Sequence, residues 1–360
     1  MTSTISPIPI QNLYYLLCYA WRRLEEAEKI AIGELKSDSF LNLVAYILLR
    51  GTRHLLKRGF DRNYVAIADE APRIKGRLDL VQSVRRNLLE RGQAACEYDE
   101  LSYDIPHNQI LKASIRSLVR LPKSALDDDL RDGLQSLLRQ LHDIKDVALS
   151  RSLFRSTHIH RNIQFYDFLL KICRLVFDNR TVLEAEGQDA LPDFIRDEKQ
   201  LQRLFEKFVY NFYAKHTDFT VRSERLEWLG SASSDDAERL LPTMQTDISL
   251  ESPTRKIIVD TKFYKSALIR SEHGEMLHSG NLYQMFAYLK NPKPNDMVTQ
   301  REGLLLYPTV EKELDLEYEL SGHRLRVCTV DLNQEWRGIH SRLLEVVGSG
   351  SGKLIATSTS

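Results

Sequence analysis

Asp247, Asp260 and Lys262 form the most suggestive reactive constellation in this sequence. They lie in MQTDISLESPTRKIIVDTKFYK, where two apolar runs flank Ser252-Pro253-Thr254-Arg255. Proline is favoured at the second position of a tight turn, so the segment predicts a β-hairpin. Centring the turn between Pro253 and Thr254 pairs Ser252 with Arg255. The same register sets Asp247 opposite Asp260, with Cβ atoms about 4.5–5.5 Å apart. Two carboxylates that close repel each other, and a divalent cation would offset the repulsion. Side chains alternate along a strand, so Lys262 shares the face of Asp260. A hard cation with few protein ligands and several waters is the usual Mg2+ arrangement. Asp247, Asp260 and the backbone carbonyl of Thr261 could hold it. Such an ion would lower the pKa of a bound water and offset charge on a phosphodiester in its transition state. Lys262 would orient or help deprotonate that water, or neutralise developing charge, and the sequence leaves these roles open. The bland alternative is a set of solvated charges on a polar strand face. The opposed second aspartate and the apolar flanks weigh against it.

Helices and strands around the two aspartates are legible in outline. Leu201, Leu204, Phe205, Phe208, Val209, Phe212 and Tyr213 recur at helical spacing after Asp197, which with Gln200 resembles a capping box. Glu206 lies at the edge of that apolar stripe, a candidate third metal ligand or a plain surface glutamate. Strands are expected around 219–228, 245–251 and 256–264, then a helix over 280–290, then strands around 303–307 and 325–331. Gln284 and Tyr288 share a face of that helix and could support the site or contact DNA, although Tyr288 could equally be core. This order suits an α+β or α/β fold with a mixed sheet flanked by helices.

Upstream, Ile10, Leu13, Leu16, Leu17, Ala20, Trp21 and Leu24 line one face of a first helix, and a second covers about Phe40 to Lys57. Residues 62–104 contain short β-like runs punctuated by Pro72, Gly76 and Gly92. Helical periodicity returns in 108–121, 127–145 and 163–178. The domain boundary is expected in the polar stretch from Ser150 to Asn162. This gives a helical domain over 1–160 with a β-rich insert, a second domain over 161–347, and a Gly/Ser/Thr-rich, disordered tail over 348–360.

Asp, then Asp-x-Lys on the next strand, then a helix bearing Q-x-x-x-Y resembles the PD-(D/E)xK nuclease superfamily, and the last string its RecB-type branch. The chain departs from the name-giving motif in having Thr246, not proline, before Asp247. IPIQNLYYLLCYAW, PRIKGRLDL, YDIPHNQILK, LLPTMQTDISL, IIVDTKFYK, NLYQMFAYL and CTVDLNQEW together resemble the McrC family, the nuclease subunits of McrBC restriction systems for methylated DNA. The resemblance spans residues 8 to about 346. It implies that Asp247, Asp260 and Lys262 are the catalytic set of an endonuclease domain acting on double-stranded methylated DNA. It also implies a partner, an McrB-like AAA+ GTPase hexamer, which binds the GTP and whose hydrolysis this subunit stimulates.

Arg50 to Arg91 contains eleven Lys/Arg and five Asp/Glu. That excess fits a phosphate-binding surface or solvated charge on a β region. The resemblance adds a third reading, a projection entering the pore of the GTPase ring, with Arg73, Lys75 and Arg77 as contacts. The whole chain balances 50 Lys+Arg against 50 Asp+Glu, which argues against coating nucleic acid by net charge alone. Four dispersed cysteines without a CxxC pair read as reduced, mostly buried thiols rather than a zinc site. His158 and His160 stand alone as an H-x-H pair. Gly348 to Lys353 only superficially resembles a P-loop, because its glycine spacing is one short and Leu354 follows the lysine. With no leader and no membrane-spanning run, the expected location is the cytoplasm. The sequence also admits two other functions, a non-catalytic activator of an AAA+ ring and an autonomous repair nuclease.

Overall fold

A computed structural model describes residues 8–37, 39–157, 163–186, 198–230, 233–263, 268–271, 274–292, 298, 300–309 and 312–348. Contacts gather the chain into two units, Met1–Ala27 with Asp193–Ser360, and Glu28–Pro192. The boundary expected in 150–162 therefore differs from this division. Helix α1 (Ile10–Ala20) and the short α2 (Leu24–Ala27) belong with the C-terminal residues, and the helix beginning at Gln164 belongs with the N-terminal ones.

The unit Glu28–Pro192 is built on helices α3 (Phe40–Arg58), then, beyond a β segment, α5 (Pro106–Val119), α6 (Asp128–Gln140), α7 (Arg151–Ser156) and α8 (Gln164–Glu186). The Ser39 hydroxyl caps α3 by accepting from the Asn42 N–H. Between α3 and α5 the chain makes β1 (Asn63–Ala71), β2 (Arg77–Leu78), α4 (Leu80–Arg85) and β3 (Ala94–Ser102). The three strands form an antiparallel sheet in the order β1-β3-β2. Gly76 is essential to its tight connection. Its φ is +66°, and a Cβ there would lie 2.5 Å from the Glu97 carbonyl oxygen.

In the other unit, α9 (Glu198–His216) precedes β4 (Thr220–Arg222), β5 (Arg225–Leu226), α10 (Asp235–Arg239), β6 (Met244–Gln245), β7 (Ile248–Glu251) and β8 (Arg255–Thr261). Then come β9 (Leu268–Ser271), β10 (Gly274–Leu277), α11 (Ser279–Lys290), β11 (Gln300–Pro308), β12 (Asp315–Leu320), β13 (His323–Val330) and α12 (Trp336–Val346). Six strands form one mixed sheet, ordered β12-β13-β11-β8-β7-β4. β11 runs parallel to both β8 and β13, and the other pairs are antiparallel. The mixed helix-and-sheet architecture is thus the one expected.

β8 is central and buried over Lys256–Thr261, as a strand covered on both faces must be. On one face Ile258, Leu305, Tyr307, Leu325 and Val327 pack with Met285, Tyr288 and Leu289 of α11. On the other, Phe205 of α9 meets Phe263 edge to face. α12 joins α9 there through the Tyr213 hydroxyl, which donates to the Leu343 carbonyl. α1 is fastened to this unit by Asn12, whose amide donates to the carbonyls of Leu332 and Gln334. Strand β12, the hairpin β9–β10 and helix α12 extend the expected set of elements.

Candidate active site

The hairpin β7–β8 delivers the carboxylates. Its pairing is Ile248 with Val259 and Glu251 with Lys256, the register expected from a turn centred between Pro253 and Thr254. Ser252 closes the turn, its N–H donating to the Arg255 carbonyl at 2.8 Å and its hydroxyl oxygen accepting from the Arg255 N–H at 3.0 Å. Backbone pairing stops at Ile248, one residue short of Asp247. There the Asp247 side chain takes over as acceptor. Its Oδ2 receives the Thr261 N–H at 3.0 Å and the Thr261 hydroxyl at 3.3 Å. Thr246 explains why no proline is needed before this aspartate. Its N–H donates to the Glu224 carbonyl at 2.9 Å, a bond proline would forfeit.

Asp260 is 1 % exposed. Its Oδ2 lies 2.8 Å from the Lys262 Nζ, and its Oδ1 is buried without a hydrogen-bond partner. Burial pushes its pKa up to about 6, and the Asp247 charge pushes the same way against the pull of Lys262. Asp247 is itself raised by burial, partly relieved by the Thr261 N–H. Glu206 of α9 is raised too, by burial first and then by Asp247. It therefore feels the site's field. Among the described residues, however, no three His, Cys, Asp or Glu side chains gather closely enough to hold a metal. A cation here would rest on Asp247, Asp260 and backbone oxygen such as the Thr261 carbonyl. The orphaned, buried Oδ1 beside a second carboxylate fits that donor set.

Helix α11 contributes Gln284 and Tyr288. The Gln284 Oε1 accepts from the Lys262 Nζ at 3.1 Å, and its Nε2 donates to the Tyr288 hydroxyl at 2.7 Å. That hydroxyl donates to the Gln245 carbonyl at 2.8 Å. Tyr288 is also packed in the α11 face of the core, so it is both core and polar link. The Gln245 carbonyl was invisible in the sequence, because every residue carries one and only the fold selects it. The Thr261 side chain was equally hidden.

Arg73, Lys75 and Arg77 lie in the other unit and are exposed. Lys75 sits over the Tyr98 ring, its Nζ 5.4 Å from the centroid. Asp197, His158, His160 and the glycine-rich run after Gly348 fall outside the described residues. All four cysteines are free and buried, as expected.

Residues 9–308 match the family model described as McrBC 5-methylcytosine restriction system component. The type IV methyl-directed restriction enzyme EcoKMcrBC of Escherichia coli K12 is 33% identical over 340 residues, 94% of this chain and 97% of that protein. A chain from the refined half-complex of Thermococcus gammatolerans McrB AAA+ hexamers with bound McrC matches in structure with a TM-score of 0.59. That match has 16% identity, covers 94% of this chain and 76% of the other, and speaks to fold alone. Over nearly its whole length, then, the chain belongs to the McrBC 5-methylcytosine restriction system component family.

Proposed function

We propose that this chain is the Mg2+-dependent DNA-cleaving subunit of a GTP-driven complex that restricts DNA carrying methylated cytosine. The observation that carries the proposal is the meeting of Asp247, Asp260 and Lys262 at one end of β8, with Asp260 buried and its Oδ1 unpartnered. We read the mixed sheet and its flanking helices as a PD-(D/E)xK nuclease domain. Asp247, Asp260 and the Thr261 carbonyl would hold the cation, with Glu206 outside direct reach. When bound, the ion supplies positive charge at the scissile phosphate and lowers the pKa of a water. Lys262, fixed between Asp260 and Gln284, presents an ammonium where phosphate charge develops and orients the attacking water. Thr261 holds the Asp247 carboxylate in place through two hydrogen bonds.

The family membership motivates the partner, an McrB-like AAA+ GTPase hexamer that binds the nucleotide. Docking and GTPase stimulation are assigned to the unit Glu28–Pro192, with Arg73 and Lys75 in the connection between β1 and β2 and Arg77 on β2 as contacts. No described helix is long and apolar enough to cross a membrane, which suits a role on cytoplasmic DNA.

The test is cleavage of a cytosine-methylated plasmid by this chain with its GTPase subunit, GTP and Mg2+. Asp260→Asn should lower the cleavage rate at least about 10³-fold while GTPase stimulation persists. Equal cleavage by both proteins would remove Asp260 from the chemistry. Stimulation without cleavage by the wild type would instead mark a non-catalytic activator.

A further inference from the structure

The bond from Tyr288 to Gln245 has a fixed direction, and that direction propagates to Lys262. A backbone carbonyl can only accept, so the single phenolic proton of Tyr288 is committed to the Gln245 oxygen, 2.8 Å away. The phenolic oxygen can then only receive from its other neighbour. Gln284 meets it at 2.7 Å and must therefore turn its NH2 toward Tyr288. Its carbonyl oxygen is left aimed at the Lys262 Nζ, at 3.1 Å, where it can take only a donor. The opposite amide orientation would set NH2 against an ammonium and an oxygen against an oxygen. The anchor stands two residues before Asp247, and Lys262 two after Asp260, so the relay ties together the strand ends that carry the aspartates.

From this we infer that Tyr288 is a positioning residue for catalysis: anchored on the Gln245 carbonyl, it sets the Gln284 amide so that its oxygen holds the Lys262 ammonium beside Asp260. This rests on the nuclease reading of the site and assigns Tyr288 neither a DNA contact nor a packing role alone. Its ring fills the core under α11, and its hydroxyl does the orienting.

The test is single-turnover cleavage of methylated plasmid by the full-length chain in complex with its GTPase subunit. The variants are Tyr288→Phe, Gln284→Met, the double variant and Asp260→Asn. Tyr288→Phe keeps the ring and removes the hydroxyl. It should lower the maximal cleavage rate about tenfold and leave the DNA concentration for half-maximal rate unchanged. Gln284→Met keeps the volume and removes the amide, and should do the same or slightly more. The double variant should match Gln284→Met alone, because both act through one chain of bonds. A wild-type maximal rate for Tyr288→Phe, a change confined to the half-maximal concentration, or additive losses in the double variant would each overturn the relay. GTPase stimulation and the unfolding midpoint report whether each variant is folded. If Asp260→Asn also cleaves normally, the nuclease reading itself fails. If Asp260→Asn is inactive while Tyr288→Phe cleaves normally, only the relay fails.

Discussion

Asp260 is held where an ionised carboxylate is least comfortable, and this should be measurable without any substrate. Its pKa of about 6 in the folded chain stands above the ordinary aspartate value of 3.8. Between those two values the folded state binds more protons than the unfolded one, so this group's contribution falls as pH rises through that window. Above about pH 6 the full cost, on the order of 3 kcal/mol, is present. Asp260→Asn removes the charge, so in EDTA-treated protein it should raise the unfolding midpoint by several degrees, about 2–8 °C, at pH 7.5. At pH 4, where the wild-type carboxyl is protonated, the two midpoints should nearly coincide. Adding Mg2+ should raise the wild-type midpoint at pH 7.5 and do little for the variant. The same residue shows what sequence reading can reach. The turn chemistry of Ser252-Pro253 and the strict alternation of β8 were enough to bring Asp247, Asp260 and Lys262 together. The shift to side-chain acceptance at Asp247 was not legible, because it depends on where the backbone ladder stops.

At the scale of elements, the site depends on how closely α11 lies on the sheet. Gly303 of β11 permits that approach, since a Cβ there would sit 2.8 Å from the Met285 Cγ and Sδ and 2.9 Å from the Leu325 Cδ1. Met285 neighbours Gln284, so lifting α11 would draw the amide away from Lys262. Gly303→Ala should destabilise the protein by about 1–3 kcal/mol through overpacking. It should also slow plasmid cleavage more than it slows GTPase stimulation, and paired denaturation and activity assays would check both. Gly76→Ala is the counterpart in the three-stranded sheet, where positive φ and the Glu97 carbonyl leave no room. It should cost more than about 1 kcal/mol, read by faster proteolysis within 63–102. Apolar periodicity revealed α1, α3, α9 and α11 because their buried faces are mostly apolar. It missed β12, Asp-Leu-Glu-Tyr-Glu-Leu, whose acidic residues suggest a loop. That strand is held at the sheet edge by ion pairs of Glu317 with Arg324 and of Asp315 with Arg326, at 2.7 and 2.9 Å. Such cross-strand partners are known only once the register is known.

For the molecule as a whole, the chain's order along the sequence is not its order in space. Sequence order alone puts the first helix in the N-terminal domain. Yet Asn12 bonds to the Leu332 carbonyl and the Tyr19 hydroxyl meets His216 at 2.8 Å, both in the C-terminal unit. No local pattern links positions so far apart, which is why that assignment could not be made from periodicity. On the proposed function, the division also separates cleavage from GTPase stimulation for testing. Replacing Arg73, Lys75 and Arg77 together with alanine should reduce GTPase stimulation at least about tenfold, the scale of a few lost interface contacts. The unfolding midpoint should barely move, since exposed substitutions usually change stability by less than about 0.5 kcal/mol. A GTP hydrolysis assay with wild-type partner would decide it. The cysteines give this division an independent readout. Cys18 and Cys328 lie in one unit, Cys96 and Cys173 in the other, and all four are buried. Burial also raises the thiol pKa of Cys18, Cys173 and Cys328. A folded chain should therefore be nearly inert to alkylating reagents, and each thiol should react only when its own unit opens. The natural sequence thus carries two pairs of internal clocks, and mass-resolved labelling would time the opening of each half separately.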